Sequence, residues 1–334
     1  MRLAHPARLR GALLLAIGAA VGGGLGVGEA VAQPAFAALG PFQDVDDELA
    51  ALLAEEREEA LELLAKGRHA AAERILREHL TDDPNDGAAR EVLARVRWDQ
   101  GRAPEALVEA QRAAAGALTP SQGTRLRLTT ALLLTELGRA EEALELLDAA
   151  SARQGLEALW VRSRVLDGLG RRAEAFEAAR EATRLDAETP RDLVLRGRSR
   201  QRAGDLVGAS RDLVAADRAA QGRSADALVG LASVYFESEQ EVEAPGKRSV
   251  GLLLREALQL CPGHEAGLLL QFDLHRLNRR RNSRSPEQIL GELLEQRPGS
   301  VPGLVAAAEN DLADGQLVRA RSRLRALEIG RAHV

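Results

Sequence analysis

The chain holds one cysteine, Cys261, two lysines, Lys66 and Lys247, and aromatic residues at only 2% of its 334 positions. A single cysteine excludes an internal disulfide, so stability must come from packing alone. Cys261 ends an apolar helical run in "LQLCPG" and reads as a small core residue. So few aromatics exclude a core of large rings, and the 45% hydrophobic content has to be filled with Ala and Leu. β-Branched residues are sparse, which argues against a large sheet. Ala, Leu, Glu and Arg dominate instead, a helix-forming mixture. Forty-three of the 45 cationic residues are Arg, yet the net charge is -5. A chain that is acidic overall does not read as a nucleic-acid binder.

Catalytic constellations are missing as well. The six histidines stand at 5, 69, 79, 264, 275 and 333, and no pair has metal-ligand spacing with a carboxylate. "HEAGL" at 264–268 starts like a zinc-protease helix but places Leu268 where the second His belongs. There is no G-x-S-x-G and no P-loop. "DVDDE" at 44–48 reads as a charged helix start and "TDDPND" at 81–86 as a turn; neither has an EF-hand's spacing. The run Arg279, Arg280, Arg281 and Arg284 reads as a solvated turn without interleaved aromatics. These residues call for no cofactor, no metal and no enzymatic activity.

The N-terminus reads as an export signal. Arg2, Arg8 and Arg10 precede an apolar stretch from Gly11 to Val27, and Ala30-Val31-Ala32 or Ala35-Phe36-Ala37 offers the cleavage site. Residues 1–32 are then the signal and 33–43 a linker, and the protein is periplasmic or secreted. The alternative is an uncleaved membrane anchor, weakened by seven Gly among residues 11–28. No membrane association is expected apart from this signal.

What the chain has in abundance is repetition. The phrase G-[RDQ]-x-x-x-A recurs with Gly at 67, 101, 138, 170 and 204, at intervals of 34, 37, 32 and 34, and Gly315 opens a looser copy. Five residues after each Gly stands Ala: Ala72, Ala106, Ala143, Ala175, Ala209 and Ala320. Seven before it stands a small residue: Ala60, Ala94, Ala131, Ser163, Gly197 and Ala308. A period near 34 is that of helix–turn–helix repeats. Two antiparallel helices approach closely only where facing side chains are small. Gly at the turn supplies the left-handed conformation that ends the first helix. Each pair leaves an apolar face, so neighbours must stack.

This pattern resembles the tetratricopeptide repeat over about residues 44–328: small residue in helix A, turn Gly, helix-B alanines, and a closing Pro at Pro84, Pro262 and Pro298. The Pro drifts to Pro120 and Pro190 in middle units, and Leu63, Leu134 and Leu166 stand where the family carries an aromatic. The resemblance implies an all-α, right-handed α-solenoid of about eight units. Their expected bounds are 44–84, 86–120, 122–154, 156–188, 190–222, 224–262, 264–298 and 300–328. The sixth unit is interrupted by "QEVEAPGKRS" and the seventh by a basic turn, 278–285.

The resemblance also implies a protein or peptide partner along the concave face that helix A lines. Its groove positions fall on Arg95, Trp98 and Asp99, on Leu128 and Glu136, and on Trp160, Arg164 and Asp167. They continue to Arg191, Arg198 and Arg202, and to Phe236. The Arg164–Arg198–Arg202 cluster would grip an acidic peptide or a terminal carboxylate. A carboxylate-clamping subgroup carries Asn where this chain has Val92, Thr129, Val161 and Leu195, so a dedicated clamp is not indicated.

The last residues, Ile329 to Val334, back-translate in one frame to ATC GGA AGA GCA CAC GTC, a widely used sequencing-adapter sequence. Residues 329–334 therefore read as a non-native tail, and the natural chain as continuing past Glu328. Two functions remain open. One is an exported, non-catalytic scaffold binding a protein or peptide. The other is the N-terminal recognition arm of a longer exported enzyme, for example a zinc peptidase or another hydrolase.

Overall fold

The computed structural model describes residues 54–64, 67–149, 155–238, 249–277 and 284–332, with side chains as far as Arg325. The export signal, the linker, and most of the long turns expected in the sixth and seventh units lie outside the described residues.

Among the described residues every regular element is an α-helix. Sixteen helices form eight pairs, each an A helix followed by a B helix. They are α1 (54–64) with α2 (His69–Asp82), α3 (Gly87–Asp99) with α4 (Ala103–Ala114), and α5 (Pro120–Glu136) with α6 (Ala140–Asp148). Then come α7 (Leu156–Gly168) with α8 (Arg172–Ala182), α9 (Pro190–Arg202) with α10 (Leu206–Ala219), and α11 (Ala225–Glu237) with α12 (Val250–Leu260). The last are α13 (Glu265–Leu277) with α14 (Pro286–Gln296), and α15 (Val301–Ala313) with α16 (Leu317–Ala332). This is the all-α repeat solenoid that the sequence implies.

The turns follow from the glycines. All six repeat glycines have positive φ, between +70° and +79°. The residue after each one donates its N–H five residues back, as Arg102 does to the Arg97 carbonyl (2.9 Å) and Gln316 to Asp311 (2.7 Å). That is the six-to-one bond of a Schellman helix end. The drifting prolines also find their reason. Pro120 and Pro190 open A helices, behind Thr119 and Thr189, which form capping boxes with Gln122 and Asp192. A missing N–H costs nothing in the first helical turn.

Small residues mark the crossings. The six alanines after the turns are at most 1% exposed. In the fifth unit a Cβ on Gly197 would lie 2.9 Å from Leu213 Cγ. In the fourth, Ser163 Oγ donates to the Ala175 carbonyl at 2.8 Å. The core is Leu and Ala throughout, each fully buried Leu contributing about 2 kcal/mol. Cys261 departs from the expected core position. It caps α12, half-buried, and burial pushes its thiol pKa up.

Buried ion pairs fasten A helices to B helices where no aromatic does. Asp212, 4% exposed, accepts from Arg196 Nε and Nη2 at 2.9 Å each and lies 2.9 Å from Arg200. Glu109 holds Arg90 (2.8 Å) and Arg97 (3.1 Å), and Arg323 donates to Asp311 (2.7 Å).

Successive A helices touch one another from α3 through α15, while B helices mainly touch their own A helix and the next one. Helices in mutual contact lie on the inside of a curve, so A helices line the concave side. The curve is tight. The turn of the second unit meets the loop between α14 and α15: a Cβ on Gly101 would lie 2.8 Å from the Gly299 nitrogen. One unit earlier, the Gly67 turn lies beside Cys261 Sγ. Arg297 lies 3.6 Å from Asp99 and 3.7 Å from Glu265. The A-to-B edge of the first two units thus sits on the B-to-A edge of units six to eight.

Candidate protein-interaction groove

Helix A exposes its inner face because its other faces are taken by its own B helix and by neighbouring units. The side chains left over are polar or aromatic, and the curvature brings them together. A cavity of about 450 Å³ collects Arg95, Trp98, Asp99, Leu128, Trp160, Arg191 and Arg198 from four A helices. Sequence reasoning placed all seven on this surface. Thr129 and Leu195, at positions equivalent to the clamp asparagines, also border it, as do Leu132, Glu157, Pro190, Val194, Ser224 and Asp226, which were not foreseen as groove residues.

Both tryptophans are half-buried. Trp98 packs against the core of the second and third units, and its Nε1 donates to Glu136 Oε2 at 2.5 Å. Trp160 packs against the core of the third and fourth. Each has one part fixed by the core and another facing the cavity. Phe236 is elsewhere: it packs half-buried against the core of the fifth and sixth units and does not border the cavity. Asp167 and Arg202 pair with each other and border a neighbouring cleft with Arg172 and Phe176.

Most charges are matched. Arg191 pairs with Glu157 (2.5 Å) and Arg198 with Asp226 (2.6 Å). Contact with His264 (3.5 Å) and the Arg198 charge hold the Asp226 carboxyl well below the usual carboxylate range, against the effect of burial. Burial pushes Glu136 up, with Glu265 adding to it, while the Trp98 hydrogen bond and the cations Arg297 and Arg164 oppose.

Arg164 differs. It is exposed to solvent, yet the concave wall crowds it, and burial together with Arg198 lowers its pKa. It feels Glu136, Glu265, Arg198 and Arg202 through space, but no carboxylate among the described residues lies within ion-pair distance. Arg95 likewise has no ion pair among the described residues. The expected arginine cluster is therefore present, with Arg198 and Arg202 internally neutralised and Arg164 unmatched. Such a surface can place a carboxylate at Arg164 and apolar groups on the tryptophan faces.

Glu265, His264 and Arg297 reach this region from the far end of the chain. No spacing within one repeat signals them, because the tight curve brings them there. Among the described residues no group of three or more His, Cys, Asp or Glu side chains is placed to hold a metal ion.

No protein-family model matches the chain, and no curated protein matches it. Solved structures do. The Cut9–Hcn1 hetero-tetramer of the APC/C matches with a TM-score of 0.51 at 14% identity, over 88% of this chain and 54% of that one. A thermophilic TPR protein of Thermus thermophilus, TTC0263, is 23% identical over 55% of this chain and 99% of its own, with a TM-score of 0.44. A tetratricopeptide repeat protein from Parabacteroides merdae is 16% identical over 80% of this chain and 98% of its own, at 0.42. At these identities the likeness is one of fold, that of an all-α helical-repeat solenoid.

Proposed function

We propose that the chain is an exported interaction scaffold that binds an extended protein or peptide segment along the concave face of its A helices. One observation carries this reading. Two half-buried tryptophans border a cavity beside Arg95, and Arg164 stands on the same concave side with no ion pair among the described residues. A half-buried Trp offers apolar area already ordered by the core. A ligand carboxylate brought to Arg164 gains a charge-assisted hydrogen bond that no carboxylate among the described residues supplies. The partner is then a segment with an acidic group and an apolar side chain near it.

The test uses a displayed library of twelve-residue peptides selected on the full chain. The best binder is titrated against wild type, Trp160→Ala and Arg164→Ala at 0.15 M salt. Each variant is expected to bind about thirtyfold more weakly, a loss of ~2 kcal/mol per anchor. Equal affinity for all three proteins removes the groove reading.

Export rests on the basic and apolar N-terminal residues 2–27. The intact mass of the protein recovered from the source cells is expected to begin at Gln33 or Ala38. A product that keeps residues 1–32 favours the anchor instead.

A further inference from the structure

Away from the groove, a second cavity of about 450 Å³ lies between α12, α13 and α14. Its volume is in the range of small-ligand sites, roughly 300–1,000 Å³. One wall is apolar: Leu254, Leu258, Pro262 and Leu274. Gly251 borders the opening, and a Cβ there would meet nothing within 4 Å.

Three of the polar side chains lining this space, Gln271, His275 and Arg255, have no hydrogen-bond or ion-pair partner among the described residues. Gln271 Oε1 is buried and has no hydrogen-bond partner. Such an orphan costs about 1–3 kcal/mol unless something donates to it. His275 is 6% exposed, and neither ring nitrogen is hydrogen-bonded among the described residues. Burial and the Arg284 charge lower its pKa, so at neutral pH one nitrogen offers a lone pair. Arg284 is matched by Glu292 at 2.8 Å. Arg255 has no ion pair among the described residues. Among the described residues the cavity thus presents two acceptors and one cation without a partner, beside an apolar wall.

We propose that this cavity binds a small zwitterion, an α-amino acid or dipeptide with an apolar side chain. The ammonium group donates to Gln271 and His275, the carboxylate faces Arg255, and the side chain lies on Leu254, Leu258 and Leu274. A simple fatty acid would leave Gln271 orphaned, and an amine would leave Arg255 unmatched. The site shares no residue with the groove, so it stands or falls separately from the scaffold reading.

Titration calorimetry on the full chain tests it with L-leucine, Leu-Leu, 4-methylpentanoate and 3-methylbutylamine. L-leucine or Leu-Leu is expected to bind, the two arms telling amino acid from dipeptide. The single-charge analogues are expected to bind at least tenfold more weakly. Gln271→Leu should weaken the zwitterion about tenfold, and Gly251→Trp should abolish its binding by filling the opening. Circular dichroism checks that both variants are folded. No heat from either zwitterion overturns the proposal. Undiminished binding by a folded Gln271→Leu protein overturns it too.

Discussion

Replacing Asp86 with Ala is expected to cost about 4 kcal/mol and to unfold the first two helix pairs while the middle of the solenoid holds. Asp86 does three things at once. Its Oδ1 caps α3 by accepting from the Ala89 amide at 2.9 Å. Its Oδ2 accepts from Arg57 at 2.6 Å and lies 2.8 Å from His79 Nε2. His79 is fully buried, and its Nδ1 lies 3.2 Å from Glu56. One carboxylate therefore ties α1, α2 and α3 together. Burial alone would raise its pKa, but the bonds from His79, Ala89 and Arg57 hold it far below the usual carboxylate range.

Removing one member of a buried ion pair costs about 3–5 kcal/mol, because the partner is left desolvated and unmatched. Loss of the cap adds about 1 kcal/mol within that total. In a stacked array a unit mainly stabilises its neighbours, so apart from the seam with units six to eight the damage stays near the mutation. Hydrogen exchange should show fast opening over residues 54–100, with α7 to α10 protected as in wild type. Uniformly faster exchange would contradict the local reading, and a loss below about 1 kcal/mol would contradict the network. The same group sets an acid limit. Its contribution is complete above the unfolded carboxyl value of about 4 and is lost as the pH falls through the depressed folded value.

The second large effect is expected at Gly299. A Cβ there would lie within bonding-like distance of the Gly101 carbonyl oxygen, and backbone cannot give way as a flexible side chain does. Gly299→Val is expected to part the two edges, break the Arg297–Asp99 pair and raise the radius of gyration in solution scattering. Helix content by circular dichroism should not change. Gly101 is a poorer place to ask the question, because its φ of +75° already demands Gly for the turn. Gly299 has no such demand, so its substitution isolates the contact. Gly291→Val on α14, where a Cβ meets nothing within 4 Å, is the matched control. Equal radii for the three proteins would show that the edge contact does not set the curvature.

Much of the architecture was legible because it depends on residues close in sequence. A turn glycine and an alanine five positions on report one crossing of two adjacent helices, and all six copies behave alike. The concave surface was legible in part for the same reason: Trp98, Trp160 and Arg198 lie on A helices whose inner face has a fixed phase. Phe236 has a similar phase, but it packs against the core of its own pair of units.

Three things were not legible. Asp86 reads as one more acid in a turn, since its value lies in a buried histidine seven residues away and in Arg57 on another helix. Asp212 and Glu109 look like solvated helix charges until their arginines on the facing A helices are in place. Arg297 and Glu265 enter the groove region only because the curve is tight. Curvature is the sum of small rotations at every unit, and no single spacing encodes it.

The seam between Gly101 and Gly299 has a kinetic consequence. A trough open along its length admits a ligand from the side, at a rate set by diffusion and charge steering. Where the seam is shut, a strand must slide in lengthwise by a free end, or wait for the edges to separate. Arg297 and Asp99 are among the groups that hold the edges, and added salt weakens a partly exposed pair of that kind, though less than a fully exposed one. Salt would then speed admission of a partner even as it weakens the grip of Arg164, so arrival and retention would respond to ionic strength in opposite directions.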